Sequence, residues 1–153
     1  MKTMVSGALA VGLLACVAGS FAADATDEEA TKREYARFEG TWKFVSLEVE
    51  GKKLPEKVFA ESLLILEGSR FTAKEAAGTS KGTFKVDLSK KPKQIDISFT
   101  EGPPKGETLL GIYELDGDTY KVCIGMPGKG RPTAFVSKPA SGHVLEVLKR
   151  VKE

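Results

Sequence analysis

The chain predicts an all-β fold: an eight-stranded antiparallel up-and-down barrel, lipocalin-like in plan, preceded by a short N-terminal helix. Three observations carry that expectation. From residue 40 onward, apolar residues recur at alternate positions in short runs separated by Gly, Pro, Asp and Ser, the pattern of half-buried antiparallel strands. No helical stretch lies between those runs, so parallel βαβ units are excluded. Eight short strands joined mainly by tight turns form a meander, and closing the meander removes both exposed sheet edges.

Size and charge bound the partners. At 153 residues, with 41% hydrophobic and 29% charged residues, the chain suits one soluble globular domain with a core of ordinary size. Its formal net charge is +2, and loss of Lys2 with an export segment leaves +1. That balance gives no electrostatic case for nucleic acid or an anionic membrane surface as partner.

Residues 1–22 read as a signal peptide. Lys2 supplies the positive start, residues 5–17 the apolar run, and Ser20-Phe21-Ala22 a small-x-small site for cleavage near Ala22. The run is too short and too interrupted by Gly and Ser to span a bilayer comfortably. A second processing route is open, because Leu13-Leu14-Ala15-Cys16 approximates a lipobox, in which Cys16 is acylated and anchors the protein to a membrane. Both routes put the mature chain outside the cytoplasm, secreted or periplasmic, and retention of the apolar run as a membrane segment is the third reading. After cleavage at Ala22 the remaining Cys123 has no intramolecular disulfide partner and reads as a small buried apolar residue.

Residues 23–39 form a charged helical lead-in. Thr26-Asp27-Glu28-Glu29 fits a capping box, Ala30, Tyr35 and Phe38 form a partial apolar face, and acids precede bases as the helix dipole favours. The helix is expected to pack on one end of the barrel or fray from it. A partner-binding helix is the functional alternative.

The barrel domain spans residues 40–153. Strands are expected at 41–50, 62–67, 70–75, 82–88, 94–100, 108–115, 119–126 and 143–151. A turn with a short helical piece falls over 52–59, and Gly/Pro-rich loops over 101–106 and 127–132. In the fifth strand Ile95, Ile97 and Phe99 share one face against Gln94, Asp96 and Ser98. The clearest hairpin is Tyr113-Glu114-Leu115-Asp116-Gly117-Asp118-Thr119-Tyr120, whose two-residue turn is Asp116-Gly117 or Gly117-Asp118. Both registers put Leu109, Gly111, Tyr113 and Leu115 on one inward face with Tyr120, Val122 and Ile124. The outer face carries Glu114 and Lys121, but also Ile112 and Cys123.

Gly40-Thr41-Trp42 heads the first strand with the single Trp of the chain. This Gly-x-Trp resembles the first-strand motif of the lipocalins and the wider calycin superfamily. The resemblance implies that Trp42 plugs one end of the barrel and that Arg150, near the end of the last strand, lies across it. A guanidinium over an indole contributes about 0.5–2 kcal/mol. Taken together, Gly40-Thr41-Trp42-Lys43 with Ser46 and Glu48, Ile95-Asp96-Ile97, Gly111-Ile112-Tyr113-Glu114-Leu115-Asp116-Gly117-Asp118, Cys123, Arg131-Pro132-Thr133-Ala134-Phe135 and Leu148-Lys149-Arg150 resemble a lipocalin-like family of secreted planctomycete proteins, over about residues 36–152. The resemblance implies a fold and a compartment, and no particular activity.

A barrel of about eight strands has an interior that side chains fill or that holds one small ligand. The leading expectation is a small apolar or amphipathic ligand inside. If Trp42 points inward, strict alternation puts Ser46 and Glu48 on the same face, where a carboxylate needs a partner or water. Glu48 then meets Arg131 or a Tyr hydroxyl as a structural pair, or anchors a ligand head group. Asp96 poses the same problem. Arg131, between Gly130 and Pro132, either ties its loop to the barrel or binds an anionic ligand. Tyr113 and Tyr120 line a cavity or belong to a filled core. The candidate ligand residues are therefore Ser46, Glu48, Asp96, Tyr113, Tyr120 and Arg131, with Trp42 and Arg150 closing the barrel.

Two other readings compete with a ligand carrier. A filled barrel acts as a structural or interaction module through loops 101–106 and 127–132 or through the helix. A hydrolase or isomerase uses Glu48 or Asp96. His143 is the sole imidazole, and with one mature Cys it gives little support to a zinc, copper or haem site. No Ser or Asp is placed beside it for a nucleophilic triad. Gly125-Met126-Pro127-Gly128-Lys129-Gly130 lacks the spacing and the Ser or Thr of a phosphate-binding loop. No cofactor and no metal are expected.

Overall fold

Helix α1 (Ser20–Phe38) runs into the first of nine strands found among the described residues: β1 (Gly40–Val49), β2 (Lys52–Lys53), β3 (Leu63–Glu67), β4 (Arg70–Glu75), β5 (Gly78–Asp87), β6 (Lys93–Glu101), β7 (Thr108–Asp116), β8 (Thr119–Gly125) and β9 (His143–Arg150). The computed structural model describes residues 20–153, with side chains from residue 26. Residues 1–19, which include most of the expected export segment and Cys16, lie outside the described residues.

Consecutive strands from β3 to β9 pair antiparallel, and β1 pairs with both β3 and β9. The result is a closed eight-stranded antiparallel barrel. The two-residue β2 is an appendage on β1, through Glu48↔Lys53 and Val49↔Lys52. The β7–β8 turn is Gly117-Asp118, since Asp116 pairs with Thr119. Gly117 takes a left-handed φ of 56°, as a primed hairpin turn requires.

Local structure departs from the sequence expectation in three places. The helix is already formed at Ser20, so Thr26 lies in its interior and the capping-box reading is corrected. The run of helix formers continues upstream of Thr26, which leaves the helix no reason to begin there. The fourth expected strand starts at Gly78, not at Gly82. Gly82 bends that strand instead of opening it: the β5–β6 register slips between Lys81 and Gly82, and a Cβ at Gly82 would come within 2.8 Å of the Phe71 ring.

The third departure is in β1. Its register against β9 slips between Phe44↔Leu148 and Ser46↔Val147, a β-bulge that leaves Val45 unpaired and 48% exposed. A bulge adds one residue to one strand, so every side chain beyond it changes face. Trp42 and Phe44 point into the barrel before the bulge. Leu47 and Val49 do so after it, opposite Glu146 and Val144.

Ile112 and Cys123, on the outer face, are 2% and 0% exposed because the long segment between β8 and β9 folds back over them. Its Val136 carbonyl accepts from Cys123 Sγ at 3.5 Å, and its Arg131 donates to the Gly111 carbonyl at 2.7 Å.

Candidate functional site

One end of the barrel is closed by side chains that satisfy each other. Trp42, fully buried, donates its indole N–H to the Phe38 carbonyl at 2.8 Å. The Phe38 ring packs against Tyr113, Phe84 and Tyr120 with centroids 5.1–5.2 Å apart. Arg150 lies over the outer face of Trp42, its guanidinium carbon 4.3 Å from the ring centroid. The same guanidinium donates to the Glu39 and Arg37 carbonyls and, at 3.0 Å, to Asp118 Oδ1. It therefore binds the end of α1 to the β7–β8 turn.

Glu34 of α1 is 4% exposed and accepts from Lys93 Nζ at 2.8 Å, the Tyr113 hydroxyl at 2.9 Å and Arg37 at 2.7 Å. Burial alone would push its carboxyl up; the hydrogen bonds from Lys93, Tyr113 and Arg37 together outweigh burial and hold it below the usual carboxylate range. Burial, and then Glu34 itself, push the Tyr113 hydroxyl up.

Above this floor the barrel is hollow. A cavity of about 360 Å³ runs up to the opposite end, within the size of small-molecule sites. Its walls include Phe44, Leu66, Phe71, Phe84, Ile97 and Phe99, and its rim includes Glu75, Pro103, Met126 and Pro127. The void exists because inward positions on neighbouring strands are small: Ala73 on β4, Ser80 and Gly82 on β5 and Gly111 on β7.

Two polar side chains, Glu146 and Tyr120, face this apolar space. Glu146 on β9 pairs with Val122 of β8, one inward position from Tyr120, and both side chains line the cavity. Among the described residues none hydrogen-bonds the Glu146 carboxyl or the Tyr120 hydroxyl. Glu146 is half-buried, and its side chain lines the void. Burial and then the Glu75 carboxylate at the rim push the Glu146 carboxyl up to about 7. Burial and then Glu146 push the Tyr120 hydroxyl up.

Of the six candidate ligand residues, only Tyr120 lines the cavity. Ser46 and Glu48 face outward because the bulge at Val45 reverses their side; they pair with Val147 and Leu145, which flank inward Glu146. Tyr113 belongs to the floor, where Glu34 takes its hydroxyl. Asp96 and Arg131 do meet, at 2.6 Å, but on the outer wall, where Arg131 also donates to the Ile95 and Gly111 carbonyls. Arg131 thus ties the β8–β9 segment to β6 and β7 and is spent there. His143 contacts the Gly130 carbonyl at 3.1 Å, at the edge of the same segment. No group of three or more His, Cys, Asp or Glu side chains able to hold a metal ion occurs among the described residues.

Glu146 was the residue missed. Its strand reads Val144-Leu145-Glu146-Val147-Leu148, apolar on both faces, so no alternation assigned its side. The signal lay in β1, where apolar spacing changes phase from Trp42 and Phe44 to Val45, Leu47 and Val49. That change of phase marks the bulge.

Neither a protein-family model nor a curated protein matches the sequence. Among solved structures, the chain is similar to the crystal structure of a DUF4847 family protein from Bacteroides vulgatus. The two share 15% sequence identity over 83% of this chain and 99% of that one, with a TM-score of 0.48.

Proposed function

We propose that the protein is an exported carrier that holds one small apolar or amphipathic molecule inside its barrel. The observation that carries this reading is the 360 Å³ cavity, walled by aromatic and aliphatic side chains and reached from the end opposite Trp42. An apolar body in that space replaces poorly hydrogen-bonded water and contacts the Phe rings. The closed floor supports the same reading: Glu34, Trp42 and Arg150 spend their polar capacity on the fold, which leaves the cavity as a preformed, rigidly based container. Export is supported by the pattern of residues 1–22 and by the resemblance to lipocalin-like secreted proteins. Among the described residues that line the cavity no hydrogen bond joins a hydroxyl to a carboxylate, so carriage is preferred to catalysis.

Native mass spectrometry of protein purified from its own host tests the proposal, together with titration of N-phenyl-1-naphthylamine, a neutral dye that brightens in apolar surroundings. A retained adduct or saturable dye binding at one site is expected. A bare mass together with no dye binding overturns the carrier reading.

A further inference from the structure

We infer that the cavity selects amphiphiles with a cationic head, a primary alkylammonium in its simplest form, and that Glu146 and Tyr120 receive that head. The inference rests on the carrier reading above and deepens it by naming the ligand class.

The argument is one of charge and unmet hydrogen bonds. The described residues that line the cavity include no Lys, Arg or His; their only ionisable acids are Glu146 on the wall and Glu75 at the rim. Both carboxylates lend the space a negative potential, which a low-dielectric wall focuses. An alkanoate entering it meets like charge twice and finds no cation. A carboxyl and a phenol hydroxyl without hydrogen-bond partners among the described residues are the second observation. Tyr120 is only 3% exposed, and a buried hydroxyl ordinarily has a partner. An ammonium offers three donors, enough for the Glu146 carboxylate and the Tyr120 oxygen. The tail then lies across the cavity against Leu66, Phe71, Phe84 and Phe99.

The groups facing Glu146 agree with this. Glu75 of β4 and Tyr120 of β8 share its cavity, and Glu48 and Cys123 lie behind it on the outer face. None of these supplies a positive charge, whereas Glu34 at the floor has two cationic partners of its own.

The test uses the full mature chain with N-phenyl-1-naphthylamine as reporter, competed at pH 8 by decylamine, decanol and decanoate. Decylamine is expected to displace the dye at concentrations about 30-fold below decanoate. Glu146→Gln, close to isosteric, is expected to abolish that preference. Tyr120→Phe, which removes only the hydroxyl, is expected to weaken decylamine by about fivefold. Decanoate binding as well as decylamine, or an unchanged ranking in both variants, overturns the inference while the carrier reading stands. Absence of binding by the dye and by all three competitors, followed by calorimetry, removes both.

Discussion

At the closed end of the barrel, Glu34 accepts hydrogen bonds from Lys93, Arg37 and Tyr113; on the cavity wall, Glu146 accepts none from the described residues. Burial raises the cost of ionising both carboxyls. The partners decide the rest. Glu34 is held ionised and ties α1 to β6 and β7, whereas Glu146 is pushed up to about 7 and has its hydrogen-bonding capacity unspent among the described residues. A buried charge with a complete set of partners reads as structure. One without them, beside a void, reads as a place for something else.

The largest effect should come from emptying the satisfied end. Glu34→Ala leaves Lys93 and the Tyr113 hydroxyl without their acceptor, and urea unfolding at pH 7 should show a loss of about 2–4 kcal/mol. The value lies below that of a fully buried pair because Lys93 and Arg37 remain partly in water. Removing the unsatisfied charge should do the reverse. Glu146→Gln should raise stability at pH 8 by up to about 3 kcal/mol and change little at pH 4.5. If it destabilises at pH 8, Glu146 has a partner and the contrast between the two ends collapses.

The same contrast predicts a pH profile for the wild type. Glu146 is raised from an ordinary 4.5 to about 7, so the folded chain holds that proton more tightly and stability falls as pH rises between those values. Glu34 is lowered, so its contribution is present above the ordinary value and is lost as pH falls through its own. Denaturation midpoints measured from pH 3 to pH 8 should therefore peak near the ordinary carboxylate range. In Glu146→Gln the decline toward pH 7 should disappear.

Smaller effects sharpen the boundary of each region. Arg150→Lys keeps the charge but loses the planar fork that spans Trp42, two carbonyls and Asp118; thermal unfolding should report a loss of about 1–2 kcal/mol. Ser46→Ala and Glu48→Gln, on the outer face, should stay within about 0.5 kcal/mol and leave dye affinity unchanged. A change in dye affinity in either would mean that β1 lacks its bulge.

Much of the fold was legible because alternation and turn chemistry are local. The Tyr113–Tyr120 hairpin shows both its sidedness and its Gly117-centred turn in eight residues, and the strand limits of β3, β4 and β6–β9 lie within about two residues of the pattern. The candidate site was far less legible. Strict alternation carried Ser46 and Glu48 inward with Trp42, and one unpaired residue, Val45, reversed them and turned Leu47 toward Glu146.

The chain alone therefore determined the antiparallel barrel and the inward face of β7 and β8, since each follows from near-neighbour periodicity. Tertiary structure decided which carboxylates are buried, which are partnered and whether the interior is empty. Those depend on sums over distant strands: the bulge in β1, the small inward residues of β4, β5 and β7, and helix α1 bringing Glu34 to Lys93 across 59 residues of chain.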